Sequence, residues 1–109
     1  MARSYKVLGQ NNPAATTATT LYTVPAGTQS VLSTISICNI AATAATYRIA
    51  IRPAGEALAN KHYVAYNSSV PANDTAVLTL GLTMNATDIL TVQASTASVT
   101  FGVFGSEIV

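Results

Sequence analysis

The chain has 109 residues, of which 50% are hydrophobic and only 8% are charged, and its formal net charge is +1. Globular domains are usually about one-quarter charged, so alanine, threonine and serine stand here where charged residues would be expected. The five Lys and Arg residues are scattered and form no basic stripe, which argues against nucleic-acid binding. The length predicts one domain with a single core, and the apolar content argues against disorder.

Apolar residues alternate with polar or small residues along most of the chain, which is the period-two pattern of β-strands. The alternation is cleanest in residues 46–52, where Tyr47, Ile49 and Ile51 point one way and the residues between them the other. A helical turn is predicted only at residues 55–61. The predicted strands, in chain order, are residues 5–8, 21–24, 29–39, 46–52, 63–68, 74–82, 88–95 and 99–104.

Turn sequences separate these strands. Three have the form x-Pro-Ala-[Gly/Asn], and a proline at the second position of a turn favours type I or type II. A fourth turn is predicted at residues 85–88, and Gly105 is predicted to end the last strand. Short strands at this spacing predict an all-β fold, an antiparallel β-sandwich of the jelly-roll kind with seven to eight short strands. The three proline turns are residues 24–27, 52–55 and 70–73.

The chain is read as a single domain overall. Residues 1–20 are expected to form an N-terminal strand and an extended arm, and residues 21–109 the β-sandwich. The first residues lack the apolar region of a secretory signal, and no apolar run is long enough to span a membrane. Cys38 is the sole cysteine and has the apolar residues Ile37 and Ile40 nearby, so we expect a buried thiol in a protein made in a reducing cytoplasm.

The sequence offers little catalytic chemistry. His62 is the only histidine, so any Ser-His-Asp triad would pass through it, but a structural hydrogen bond at a strand edge or an interface is favoured. Asp74 and Asp88 stand at turn-to-strand junctions, where aspartate bonds its own backbone. There is no glycine-rich phosphate loop and no paired metal motif. We therefore expect that the protein is not an enzyme, has no catalytic residue, and binds no cofactor and no metal.

Two further sets of side chains deserve a prediction. Arg48 and Arg52 leave the same face of one strand, either as solvated charges or in pairs with a carboxylate such as Glu56 or Glu107, on the same or an adjacent subunit. The five tyrosines could form a carbohydrate-binding platform, but packing in the core or in an interface is favoured. The candidate subunit-interface residues are Arg48, Arg52, His62, Tyr63 and Glu107.

Low charge on the strand faces is the feature that most needs a cause. A domain of near-zero net charge with pairable strand edges is poorly protected against association. Much of its surface is therefore expected to be buried against identical copies or a larger particle. A symmetric homo-oligomer follows as the default, with a trimer favoured.

Five segments resemble small virion structural proteins of tailed bacteriophages, notably those infecting cyanobacteria. They are LYTVPAGT at residues 21–28, STISICN at 33–39, YRIAIRPAG at 47–55, LANKHY at 58–63 and FGSE at 104–107. The resemblance implies a non-enzymatic component of the virion, made in the cytoplasm of the bacterial host. Its partners would be identical subunits and other virion proteins, such as the major capsid protein or tail proteins, with no nucleic acid and no membrane.

The resemblance leaves the position on the particle open. A capsid decoration or cement protein is favoured, because the chain contains no coiled coil, no triple-helical shaft and no second domain. A tail, neck or baseplate/fibre-associated protein is the alternative, and a glycan-binding receptor module is a third, less favoured one.

Overall fold

The computed structural model describes residues 3–79 and 81–109, and within them the chain forms nine β-strands and two short 3-10 turns. The 3-10 turns, η1 and η2, are Pro53–Gly55 and Asn60–His62. The strands are β1 Arg3–Asn11, β2 Thr19–Thr23, β3 Gln29–Asn39, β4 Ala45–Arg52, β5 Tyr63–Val70, β6 Thr75–Leu78, β7 Leu82–Met84, β8 Ile89–Ala94 and β9 Val99–Ile108.

The strands form two antiparallel sheets that pack as a sandwich, which confirms the predicted fold class. Sheet A has the order β1-β9-β3-β6, with β7 also paired to β3, and sheet B has the order β2-β8-β4-β5. The β4–β5 hairpin is the midpoint, and the flanking strands pair outward from it: β3 with β6 and β7, β2 with β8, and β1 with β9. This wrapped hairpin is the connectivity of a jelly roll.

The core lies between the sheets and follows from the period-two pattern, since alternate side chains of each strand point inward. Sheets A and B both contribute aliphatic side chains, and an edge-to-face pair of Tyr47 and Phe101, with ring centroids 6.5 Å apart, packs among them. The largest fully buried apolar side chains are Val24, Leu32, Ile35, Ile37, Ile49, Val70, Leu90, Val92, Val99 and Val103.

Two predicted elements are wrong in detail. The strand expected at residues 74–82 is two strands, β6 and β7, and Gly81 between them has a φ of +60°, which leaves the extended conformation. Leu80, which falls within the strand expected there, lies outside the described residues. The helical turn expected at residues 55–61 is replaced by η1 and η2, because Ala54 and Gly55 both take left-handed φ angles and Ala59 is extended.

The predicted end of the last strand is also wrong, because of a bulge in β3. The pairing of β3 with β9 shifts between Leu32 and Thr34, so Ser33 is an extra residue and the alternation of side chains changes face there. Gly105 of β9 lies opposite this bulge, where a Cβ atom would overlap with the carbonyl oxygen of Val31. Gly105 therefore accommodates the bulge and does not end the strand, which continues to Ile108.

The turns are where the sequence placed them, but two have a different internal register. Thr28 N donates to Pro25 O at 3.2 Å and Glu56 N to Pro53 O at 3.1 Å, so each proline is the first residue of its turn and not the second. The turn at residues 85–88 is confirmed by the bond from Asp88 N to Asn85 O at 3.1 Å.

The expected capping by aspartate is confirmed too. Asp74 Oδ1 accepts from Thr75 N at 2.8 Å, and Asp88 Oδ2 accepts from Asn85 N at 2.8 Å. The second oxygen of Asp88 accepts from Ala54 N at 2.9 Å, which ties η1 to the turn before β8.

Three further predictions concern single segments. Cys38 is partly exposed and not fully buried, because it alternates with the buried Ile37 and Asn39 along β3. In the N-terminal segment, β1 pairs with β9 at the edge of sheet A, and Thr16 N donates to Ala94 O at 2.7 Å in the loop that follows. No helix among the described residues is long and apolar enough to cross a membrane.

Candidate interaction surfaces

The outer face of sheet A is the side of that sheet that points away from the core. The registers of β1, β9, β3 and β6 place uncharged side chains there in adjacent rows, because Val7 pairs with Phe104 and Ser36 pairs with both Gly102 and Val77. We define this face by the residues Tyr5, Val7, Val31, Thr34, Ser36, Val77, Thr100, Gly102 and Phe104.

Several apolar side chains on the outer face of sheet A are open to solvent. Tyr5 is 75% exposed and Val77 58% exposed. A Cβ atom at Gly102 would lie 3.3 Å from the ring of Phe104, so the ring covers this glycine. Tyr5 and Phe104 also line a shallow depression of about 460 Å³. The face therefore combines apolar and hydroxyl side chains, and Lys6 lies at the rim of the depression.

The charges nearest to this face lie on its border. Arg3 NH1 donates to the hydroxyl of Tyr5 at 3.3 Å at one corner. Lys6, also on the edge strand β1, forms an ion pair with Glu107 at 2.7 Å. Neither interrupts the rows of β3 and β9 in the middle of the sheet.

The outer face of sheet B is different, because the connection 53–62 crosses it. Ala50 and Thr91 point to this side and are nevertheless buried. Arg52 helps to cover them: its Nε donates to the backbone oxygen of Glu56 at 2.7 Å and its NH1 to Thr91 Oγ1 at 3.4 Å. Within its own subunit Arg52 thus binds the backbone of Glu56 and not the carboxylate. A pair with a carboxylate of an adjacent subunit stays a prediction.

His62 is only 5% exposed and holds the connection in place. Its Nδ1 accepts from Ala59 N at 3.0 Å, so Nε2 carries the proton and donates to Glu56 Oε1 at 3.1 Å. That bond, together with Lys61 Nζ at 3.4 Å, lowers the pKa of Glu56. The predicted structural hydrogen bonding of His62 is therefore present, inside its own subunit.

A cluster of aromatic and polar side chains lies at the β5 edge of sheet B, and we call Arg48, Asn60, Tyr63, Tyr66 and Asn67 the tyrosine cluster. The rings of Tyr63 and Tyr66 meet edge to face with centroids 4.9 Å apart. Arg48 lies 4.2 Å above the ring of Tyr66 and its Nε donates to Asn67 Oδ1 at 2.7 Å. Asn60 completes the rim of a depression of about 340 Å³ with the two tyrosines. Arg48 thus contacts an aromatic ring and an amide here.

Glu107 lies elsewhere, at the end of the core where four strands meet. The Tyr22 hydroxyl donates to Glu107 Oε2 at 2.6 Å and is 2.6 Å from Ser30 Oγ, which must then donate to it. Burial, followed by the bond to Glu107, raises the pKa of Tyr22 to about 12. Lys6 and Tyr22 lower the pKa of Glu107. This network fastens β1 to the sandwich.

The five candidate interface residues therefore do not form one site. Arg48, Arg52, His62 and Tyr63 gather on the sheet B side, and Glu107 lies apart from them. Sequence reasoning did not single out Tyr66 or the outer face of sheet A. Across residues 3–79 and 81–109, no group of three or more His, Cys, Asp or Glu side chains could hold a metal ion.

Comparison with known proteins found a likeness in one solved structure. A chain of the "Structure of infectious bursal disease virus Gt strain" is similar with a TM-score of 0.48 and 11% sequence identity. The match covers 96% of this chain and 31% of that chain, so this chain spans about a third of its length. No protein-family model and no curated protein matches the chain.

Proposed function

We propose that the protein is a non-enzymatic structural component of a tailed-phage virion that forms a symmetric homo-oligomer, a trimer being favoured, and decorates or cements the capsid. The observation that carries this proposal is the uncharged outer face of sheet A, with Tyr5, Val7 and Val77 exposed on it. The jelly-roll fold serves capsid, lectin and enzyme domains alike, so this surface and not the fold supports the proposed role.

The size of the face suits an interface between proteins. Strands lie about 4.8 Å apart and rise about 3.3 Å per residue, so four strands of about eight residues present on the order of 500 Å². Contiguous exposed apolar patches larger than a few hundred Å² mark interaction sites, and a standard interface buries roughly 800 Å² per partner. One such face supplies the greater part of a specific contact.

The distribution of charge supports the same role. Arg48, Arg52, Glu56 and Lys61 all lie on the sheet B side, whereas the charges next to the outer face of sheet A, Arg3 and Lys6, lie at its border. A contact of this kind is modest for one subunit. On a symmetric particle it is repeated many times, and avidity then holds the subunits without strong individual anchors.

A non-enzymatic role is supported by what the reactive side chains do. Both ring nitrogens of His62 are engaged in hydrogen bonds, and both carboxylate oxygens of Asp88 accept backbone N–H groups. These groups serve the fold. In this proposal the partners are identical subunits and the major capsid protein, and the site of synthesis is the host bacterial cytoplasm.

The position on the particle is tested by electron microscopy of the virion that contains this chain. Density for the jelly roll on the capsid lattice is expected, and density on the neck, tail or baseplate would favour the alternative of a tail-associated protein. Sedimentation equilibrium of the purified protein tests assembly: trimers are expected, and a stable monomer at all concentrations contradicts the homo-oligomer.

A further inference from the structure

We propose that the tyrosine cluster is a carbohydrate-binding site for a neutral or acidic sugar. The cluster occupies the opposite side of the sandwich from the outer face of sheet A, and a separate set of side chains carries it. Binding at the cluster is therefore independent of the proposed assembly.

The two rings of the tyrosine cluster form a concave corner. Tyr63 and Tyr66 meet at 79° with ring centroids 4.9 Å apart, so they form two walls of a corner. With Asn60 they line a depression of about 340 Å³. Small-molecule sites usually have volumes of roughly 300–1,000 Å³, and this depression falls at the small end, where one sugar ring is the fitting size.

The side chains of the tyrosine cluster match the chemistry of a sugar. A sugar ring has C–H groups that pack on an aromatic surface and hydroxyls that donate and accept hydrogen bonds, so it needs apolar and polar groups side by side. The tyrosine hydroxyls and the Asn60 amide provide two-way hydrogen bonding next to the rings. Within the described part of the chain these three polar groups have no hydrogen-bond partner, so they are free for a ligand.

The side chains of the tyrosine cluster are held in position by their neighbours. Arg48 fixes Tyr66 from one side, since it lies 4.2 Å above the ring and is itself held by Asn67 Oδ1 at 2.7 Å. The turn that carries Asn60 is held by the bond from Ala59 N to the buried His62 ring. A site whose walls are fixed before binding loses less conformational freedom on binding.

Charge narrows the class of sugar. Arg48 is the net charge beside the tyrosine cluster, because Lys61 and Glu56 form an ion pair with each other at 3.4 Å. A cationic amino sugar would be repelled by Arg48. Neutral sugars and sugars with a carboxylate are therefore the expected ligands.

The site faces away from the surface used for assembly. If the subunit attaches through the outer face of sheet A, the tyrosine cluster points outward from the particle, and this orientation rests on the proposed function. Sugar binding by the purified protein does not.

The test is an array of neutral, carboxylate-bearing and amine-bearing oligosaccharides, probed with the wild-type protein and two variants. Wild type is expected to bind neutral or acidic sugars. Tyr66→Ala is expected to weaken binding at least about tenfold. Ile40→Ala removes an exposed apolar side chain that belongs to neither the outer face of sheet A nor the tyrosine cluster, and it is the control, with binding unchanged. Because Tyr66 is 56% exposed, its removal should leave the unfolding temperature close to that of wild type.

The outcomes separate the two proposals. No binding to any sugar on the array overturns the carbohydrate site, and so does binding that Tyr66→Ala retains or that prefers amine-bearing sugars. Nuclear magnetic resonance titration with the best-bound sugar should shift the resonances of Asn60, Tyr63 and Tyr66 first. Sedimentation equilibrium of Tyr66→Ala should still show the wild-type oligomer, since assembly is assigned to sheet A.

Discussion

The Tyr22 hydroxyl joins three strands, because it donates to Glu107 and lies against Ser30 in the buried end of the core. Its pKa of about 12 lies above the ordinary value of 10.0, so the folded protein holds this proton more tightly than the unfolded chain. The stability that results is complete below pH 10 and is lost as the pH rises from about 10 to 12. Urea unfolding at increasing pH measures this loss.

Tyr22→Phe is the matched variant for that measurement. At neutral pH it should be less stable by about 1–2 kcal/mol, because two hydrogen bonds are removed from a buried network. Above pH 10 the difference from wild type should shrink, since the variant has no phenol to ionise at this position. Parallel curves for the two proteins up to pH 12 would contradict the raised pKa.

Glu107 gives the opposite pH dependence of stability, with a loss in acid. Lys6 and Tyr22 hold its pKa below the ordinary 4.5, so its contribution is complete above that pH and is lost as the pH falls through the lowered value. Glu107→Gln should be less stable than wild type at pH 7, by no more than about 1 kcal/mol for the half-exposed ion pair with Lys6. The two proteins should converge in acid, and an unchanged difference at pH 2 would refute this.

At the scale of elements, the bulge in β3 depends on a glycine in its neighbour. A Cβ atom at Gly105 would overlap with the Val31 backbone, which cannot move without breaking the pairing of β3 and β9. Gly105→Ala should therefore cost at least about 3 kcal/mol of unfolding free energy or prevent folding. Gly27→Ala is the control: its Cβ would meet open space, and only the φ of +74° opposes it, at about 1 kcal/mol. Equal unfolding midpoints for both variants would argue against the bulge.

The strands themselves were predictable, because alternation of side chains is written locally in the sequence. The bulge was not, since the run Val31-Leu32-Ser33-Thr34-Ile35 is compatible with a regular strand, and the extra residue is determined by Gly105 about 70 positions away. The break in the strand expected at residues 74–82 was likewise not visible in the alternation. Alternation predicts that a strand exists, but it does not predict which face a side chain occupies beyond a bulge.

The tyrosine cluster shows the same limit at a candidate site. Tyr63 and Tyr66 are three positions apart, so in a regular strand they would point to opposite faces. The pairing of β5 with β4 shifts twice between Ser68 and Tyr63, and the second tyrosine joins the first on the outer side. The shared face of Arg48 and Arg52 was predictable. Their contacts were not, because they come from chain segments that only the fold brings across sheet B.

At the scale of the whole molecule, the few charged side chains are unevenly distributed between the two sides of the sandwich. The charged side chains of β4 and of the connection 53–62 cover sheet B, and the outer face of sheet A has small hydroxyl and apolar residues over four strands. Uniformly low charge would favour indiscriminate association. A single uncharged face favours one contact of defined geometry, which is what a symmetric assembly requires.

Val77→Lys tests this division directly. Val77 is 58% exposed in the middle of β6, so a lysine there fits the fold but places a charge within the proposed contact, where it would have to be desolvated. Association measured by sedimentation equilibrium should weaken at least about tenfold, with the unfolding temperature unchanged. Leu58→Lys adds the same charge on the sheet B side and should assemble as wild type does. If both variants dissociate alike, net charge controls assembly and the outer face of sheet A does not. If neither dissociates, the subunits meet through another surface.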